Sequence, residues 1–338
     1  MLNGVYASFG AAGGSLTADP DGISSGHVWK NGVGNDNGFE QNLRYVLTSA
    51  QTKVGFAQRL WLTGLPGDIN KYPVPFAFFN AANTAIALIQ VTPTGGFIVH
   101  NSVSGLNYAT PGPVITANAW WHLEFMVDIS EGAFELRVEG QTVLSETGLD
   151  FGALPIAQTA WCTQNSFAVW PGNDFYKDVV IWNGEGTQNN DFLGSVIVAS
   201  LIPNADMDFT WTPTPAESDG FAILATAPPQ DATVFLDAPN PAPAPYTCAL
   251  TGLDGDVTSV KALMTVVRAS KTDGGDGSLQ VGIISSPLDA PATTLGTDRP
   301  ITVAPTYWRD IHELDPKTAA PWLPSAVGII NLQLNRTT

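Results

Sequence analysis

Trp120-Trp121-His122-Leu123-Glu124-Phe125-Met126-Val127-Asp128-Ile129-Ser130-Glu131-Gly132-Ala133-Phe134-Glu135-Leu136-Arg137-Val138-Glu139-Gly140 is the stretch that decides the fold. Two runs of strict alternation flank a Ser-Glu-Gly turn, the pattern of a β-hairpin with one buried face. Leu123, Phe125, Val127 and Ile129 share one face of the first run, with His122, Glu124, Met126 and Asp128 on the other. In the second run Phe134, Leu136 and Val138 oppose Glu135, Arg137 and Glu139. A four-residue loop at 130–133 sets Ile129 opposite Phe134, Val127 opposite Leu136 and Phe125 opposite Val138. A slip by one residue would pair core with solvent, so Phe125, Val127, Phe134 and Leu136 are expected to be buried together. On this register Asp128 meets Glu135 and Glu124 meets Glu139. Like charges directly opposite weaken a ladder, and Arg137 on the diagonal relieves part of the strain. Clustered carboxylates can hold a hard cation. The plainer reading, a solvated face stitched by one arginine, is the one expected, with no metal site.

Outward from the hairpin the same grammar continues. Val54–Leu62 sets Phe56, Gln58, Leu60 and Leu62 against Ala57, Arg59 and Trp61. Short strands are also expected at Val5–Phe9, Arg44–Thr48, Phe76–Phe79, Ala85–Val91, Phe97–Val99, Thr142–Glu146, Ala157–Thr163, Phe167–Trp170 and Asp174–Trp182. About a dozen short strands with Gly/Pro turns and no amphipathic helix give a β-sandwich. Asn183–Asn190 carries turn formers and reads as a junction, so domains are drawn at 1–186 and 187–338. In the second part, Gly194–Leu201, Val257–Ala269, Ser278–Ile284, Pro300–Val303, Trp308–Leu314 and Ala326–Leu334 read as strands of a smaller β-sandwich. The prolines of Ala238–Pro245 lack backbone donors and exclude that run from a sheet interior.

Composition narrows the function classes. The 338 residues hold 33 Gly, 25 Pro and 44% hydrophobic residues, which excludes disorder and favours turns and short strands. With 14 basic against 31 acidic residues the formal charge is −17. Neither nucleic acid nor an anionic membrane is an expected partner, since both select clusters of Lys and Arg. Cys162 and Cys248 are too few for a disulfide scaffold and are expected as free thiols. No basic-plus-apolar leader is seen at Met1 and no run of membrane-spanning length, so neither export nor insertion is expected.

The strand opening on Trp-x-His, the turn, the strand ending at Val138-Glu139-Gly140 and the strand after it resemble the concanavalin A-like, or laminin-G-like, jelly roll. Further on, Phe175-Tyr176-Lys177-Asp178-Val179-Val180-Ile181-Trp182-Asn183-Gly184-Glu185-Gly186 precedes Asn189-Asn190-Asp191-Phe192-Leu193-Gly194. With Gly194–Val198 and Trp211-Thr212-Pro213 these are similar to structural proteins of tailed bacteriophages and gene transfer agents. The resemblance implies a non-enzymatic spike, fibre or capsid-decoration subunit. Such a protein is made in the host cytoplasm and joined to other virion proteins as a homo-oligomer, its jelly roll either holding neighbouring subunits or touching host surface glycan. Residues 1–42 and 238–245 are the segments expected at subunit contacts.

Two other readings stay open, a carbohydrate-binding module and a glycan-cleaving enzyme of the same fold. Laminarinase-type enzymes of this fold carry a Glu-x-Asp-x-x-Glu strand. Here only Glu124 and Asp128 share a face, ~13 Å apart at ~3.3 Å per residue, too far for paired-carboxylate hydrolysis. No catalytic residue and no cofactor are expected. His27, His100, His122 and His312 lack zinc spacing. For glycan, a flat aromatic beside amides and carboxylates is needed. Trp170, Asn173 and Asp174 on one loop, and Trp29 with Asn31 on another, are the candidates. Trp61, Trp120, Trp161 and Trp211 are expected to pack.

Overall fold

A computed structural model describes residues 4–9, 14–18, 20, 27–31, 38–67, 71–165, 173–216, 218–226, 233–238, 244–253, 257–272, 274–286 and 291–337. For 4–9, 14–18, 27–31, 38–43, 71–72 and 162–165 the description covers backbone only. Two compact units result, Met1–Val198 and Ala199–Thr338. The segment 187–198, drawn with the second domain from sequence, thus falls in the first unit.

The first unit runs β1 (Gly4–Phe9), β2 (Gly14–Ala18), β3 (His27–Asn31), β4 (Gly38–Gln51), β5 (Lys53–Leu62), β6 (Lys71–Phe79) and β7 (Ala85–Val91). It continues with β8 (Phe97–Asn101), β9 (Leu106–Ala109), β10 (Trp120–Asp128), β11 (Ala133–Val138), β12 (Gln141–Glu146), β13 (Ile156–Asn165) and β14 (Asp174–Asn183). Sheet A has the order β1-β4-β13-β6-β7-β8-β9, and sheet B the order β12-β11-β10-β5-β14-β3-β2. Neighbours in both are antiparallel, and the chain repeatedly leaves one sheet for the other. This is a jelly-roll β-sandwich of the concanavalin A-like class.

Between the sheets lie Phe56, Leu60, Phe76, Phe78, Ile89, Val99, Phe125, Val127, Phe134, Leu136 and Trp161, all buried. Burial of the four hairpin residues together is as the alternation requires. Phe56 packs edge-on against both Phe76 and Trp161, with centroids 4.9 and 5.2 Å away. Gln58 is the polar exception in this core. Its Nε2 donates to the Pro75 carbonyl at 2.8 Å, and its Oε1 accepts from the Trp161 indole. Each partner would otherwise be a costly buried orphan. Outside sheet B, Trp182 lies flat over Gly55, where a Cβ would come within 2.0 Å of the indole.

The hairpin register differs from the expectation by two residues. Leu123 pairs with Val138, Phe125 with Leu136, Val127 with Phe134 and Asp128 with Ala133. The loop is therefore 129–132, one residue earlier than expected. The Asp128 carboxylate accepts from Ser130 Oγ at 2.5 Å and from the Glu131 amide at 3.1 Å, which starts the turn at Asp128. Gly132 closes it at φ +58°, with Leu149 O only 2.3 Å from where a Cβ would sit. The shift preserves every face but rearranges the charges. Glu124 now faces Arg137, and Glu139 lies beside His122, so neither expected acid–acid opposition exists.

The second unit contains β15 (Pro203–Asp208), β16 (Thr212–Thr214), α1 (Gly220–Leu224), β17 (Phe235–Asp237), β18 (Tyr246–Leu250), β19 (Leu263–Ala269), β20 (Ser278–Ser285) and β21 (Ala292–Leu295). Then come β22 (Arg299–Pro300), β23 (Thr306–His312), β24 (Leu314–Asp315), β25 (Ala320–Pro321), α2 (Pro324–Val327) and β26 (Asn331–Arg336). Its main sheet has the order β15-β18-β26-β20-β21, with β22 also on β20. The ribbon β19–β23 packs on it through Val267 and Trp308 against Tyr246, Leu279, Val281 and Leu334, giving two layers. Three expected strands are corrected. Val257–Ala269 is a strand only from Leu263, Pro300–Val303 is strand only at Pro300, and Ala326–Leu334 becomes a strand only at Asn331, its first two residues belonging to the helix Pro324–Val327. Cys248 is a free buried thiol whose pKa burial raises to about 11.

Candidate functional site

The outward face of sheet B is built as rows of residues directly opposite one another across β11, β10, β5 and β14. Trp182, Gly55 and Met126 share one row. Glu124, Ala57 and Val180 share the next. Then come His122, Arg59 and Lys177, with Glu139 beside His122. Last, at the end of the strands, stand Trp120, Trp61 and Phe175.

Segment 190–198 is strapped over the first two rows. Phe192 and Leu193 pack on Trp182, Val180 and Ala57, and Arg137 stacks 3.7 Å from the centroid of the Phe192 ring. Glu124, fully buried, accepts from the amides of Leu193 at 2.8 Å and Gly194 at 3.1 Å through Oε1. Its Oε2 is buried without a partner. Burial raises the carboxyl pKa, against the pull of those two amides and of Arg137. Arg59 donates to Ser195 Oγ at 2.9 Å and pairs with Asp178 at 3.2 Å. Asp178, in a bulge of β14 at φ +55°, accepts from the Val198 amide at 2.9 Å. The face expected to be solvated is therefore covered here. Gly194–Leu201, expected as a strand, is an irregular strap over residues 194–198.

His122 is also fully buried, and neither ring nitrogen has a partner. Burial first, then the Arg59 charge, lowers its pKa to about 4, with Glu139 opposing. The ring is neutral at pH 7.

Trp61 and Trp120 are half-buried and meet edge to face, with centroids 5.7 Å apart. The Lys177 ammonium lies 4.2 Å from the Trp120 centroid. Two loops bracket the end of β5. The backbone N–H of Asn118 donates to Leu62 O at 2.8 Å, the backbone N–H of Thr63 donates to Asn173 O at 3.0 Å, and the backbone N–H of Asn173 donates to Thr63 Oγ1 at 2.9 Å. Both asparagine side chains reach the surface, and among the described residues neither amide is engaged. The arrangement offers apolar ring edges, a cation and two amides within one end of one sheet. That combination suits the alternating apolar and hydroxyl faces of a sugar.

The residues expected to bind glycan divide as follows. Asn173 is at this end, half exposed. Asp174 is buried and accepts from the Tyr176 hydroxyl at 2.6 Å, so it is corrected to a core residue. Trp29 pairs with Tyr176 and Asn31 with Gly14 in backbone register, which puts β3 beside β14; their side chains lie outside the described residues. Trp170 and strand Phe167–Trp170 lie outside them as well. Trp161 and Trp211 are buried, as expected. Trp61 and Trp120, also expected to pack, do pack on each other edge to face, half-buried on the outer face of the sheet. Their strand parity was the available signal, since Trp61 shares its face with Arg59 and Trp120 shares its face with His122.

No family model and no curated protein matches the chain. Solved structures do. A sialidase is 12% identical with a TM-score of 0.37, over 49% of this chain and 16% of that one. An alginate lyase, vAL-1 from Chlorella virus, is 12% identical at 0.34, over 50% of this chain and 88% of that one. The family 7 alginate lyase A1-II' is 14% identical at 0.38, over 49% and 82%. The chain thus spans about a sixth of the sialidase. No residue role is carried over from any of them.

The expectation of a non-enzymatic particle subunit finds no support in them and is dropped: the similar structures are named as a sialidase and alginate lyases, with a cellulose-induced protein and a pentraxin among them, and none of those named here is a phage component. The physical reason lies in the narrowness of the carboxylate test. A missing acid pair on β10 speaks against paired-carboxylate hydrolysis. It does not test any other way of cleaving a glycosidic bond.

Proposed function

We propose that the protein is a glycan-cleaving β-sandwich protein that takes a sugar chain across the aromatic end of sheet B. The observation that supports this is the half-buried Trp120–Trp61 pair, flanked by Lys177 and by the side-chain amides of Asn118 and Asn173, unengaged among the described residues. Stacking on the indoles would hold the apolar face of one sugar ring. The two amides would take hydroxyls, and Lys177 would favour a carboxylated unit. The rigid strands beneath keep the platform in place, as binding loops and rims need. Chain shortening is the readout. The purified protein is incubated with a panel of acidic and neutral polysaccharides, and products are sized and assayed for new ends. The expected result is cleavage of at least one acidic glycan, strongly reduced in Trp61→Ala while the melting temperature stays within a few degrees. Retention on glycan with no new ends would move the protein to the binding modules. Neither binding nor cleavage across the panel would sink the proposal.

A further inference from the structure

The turn between β11 and β12 carries a residue that its backbone does not favour. Val138 pairs with Gln141, so Glu139 and Gly140 make up the whole turn. Both stand at positive φ, +49° and +77°. That is the pattern of a type I′ hairpin, whose usual first residue is Asn, Asp or Gly. Asn and Asp tolerate this backbone through short side chains that bond locally, and Gly has no Cβ to clash. Glu139 has neither advantage. It is exposed, so apolar packing does not offset the strain.

What Glu139 does make is a pair of bonds to one residue of β10. Its backbone N–H donates to His122 O at 2.9 Å, and its Oε1 accepts from the His122 backbone N–H at 2.7 Å. In a regular antiparallel ladder the second bond would go to the main-chain carbonyl of the residue opposite. Here a carboxylate oxygen takes that place and makes the bond charge-assisted.

The place of this tie matters for the end of sheet B. The register of β10 on β11 stops at Leu123–Val138, whereas on β5 it continues to Trp120–Trp61. Trp120 and Trp121 therefore run past the end of β11. Glu139 fastens the strand on that side at His122, two residues from Trp120. A strand end paired along one edge only is prone to open locally. The edge-to-face contact of Trp120 with Trp61 depends on where that end lies. Backbone strain that persists beside a site is a pointer to function once the outlier is in hand.

We propose that Glu139 is a positioning residue for the Trp120–Trp61 platform, its carboxylate capping the His122 N–H so that Trp120 stays against Trp61. The inference rests on the glycan reading for its purpose, and its first test needs no sugar. Two indoles in contact couple as an exciton pair in circular dichroism, and in each background the couplet is the difference made by Trp61→Ala. Glu139→Asn suits the turn better, but its amide is one methylene short of His122. Glu139→Gly removes the acceptor outright. Both are expected to lose most of the couplet while melting within a few degrees of wild type, since relief of backbone strain offsets the lost bond. Glu139→Gln keeps an acceptor of the same length and is expected to keep the couplet. Titration with an acidic oligosaccharide should then show affinity about fivefold weaker in the Asn and Gly variants, the scale of one hydrogen bond. The Gln variant should bind like wild type. A couplet unchanged in the Asn and Gly variants, or lost equally in the Gln variant, would overturn the proposal. So would sugar affinity undiminished after the couplet is lost, or a melting temperature that collapses with it, which would make Glu139 a residue of the fold at large. Failure of the glycan reading looks different: wild type binds no sugar while the couplet still follows Glu139.

Discussion

At the scale of single residues, the core behaves as its alternation demands. Phe125 is fully buried and touches the rings of Phe76, Phe78 and Phe134, at 5.4–6.1 Å between centroids. Phe125→Ala is expected to cost about 3–5 kcal/mol, read by chemical denaturation. His122 makes a second expectation. Its folded pKa of about 4 lies below the unfolded 6.5, so the unfolded chain binds the proton more readily. The stabilising contribution of the neutral ring is full above pH 6.5 and is lost as pH falls towards 4. Between pH 7 and 5 this amounts to about 1–2 kcal/mol. Glu124 acts oppositely, because its raised pKa favours the fold at acid pH, so wild type alone does not isolate either group. In His122→Asn the loss of stability from pH 7 to 5 is expected to be smaller than in wild type; equal slopes would remove His122 as its source.

At the scale of elements, the sequence reveals faces more readily than registers. Alternation has a period of two, so any even shift leaves the same side chains inside, and nothing in it distinguishes Phe125 opposite Val138 from Phe125 opposite Leu136. The deciding information is local turn chemistry, the Asp128 carboxylate and the positive φ of Gly132. The burial of Glu124 could not be read from its own strand, because the strap that covers it comes about 70 residues later in the chain. The strap gives the third prediction. Glu124→Ala leaves the buried amides of Leu193 and Gly194 without an acceptor, and is expected to cost about 1–3 kcal/mol. Glu124→Gln keeps the acceptor and removes the buried charge, so it is expected to match or exceed wild type at pH 7. Hydrogen exchange over residues 190–198 should rise in the first variant and not in the second. The reverse ranking would mean that the strap is held by the Trp182–Phe192 packing instead.

At the scale of the whole molecule, the jelly-roll sandwich was legible from strand spacing and from the hairpin. The end of sheet B proposed to hold sugar was legible only in part. Asn173 was found as a loop amide, whereas Trp61 and Trp120 were assigned to the core on residue type alone, against the parity of their strands. The second unit was recognised as β-rich, but its short strands and one-turn helices blur both periods, which is why Pro324–Val327 escaped notice. The central claim is that sugar is held by the Trp120–Trp61 pair. Its most direct measurement is calorimetric binding of acidic oligosaccharides to wild type, Trp61→Ala and Trp120→Ala, with the melting temperature of each. Heat of binding present in wild type and lost in both variants, with melting nearly unchanged, is the result expected. Binding that survives both substitutions, or that vanishes only because melting collapses, would contradict it.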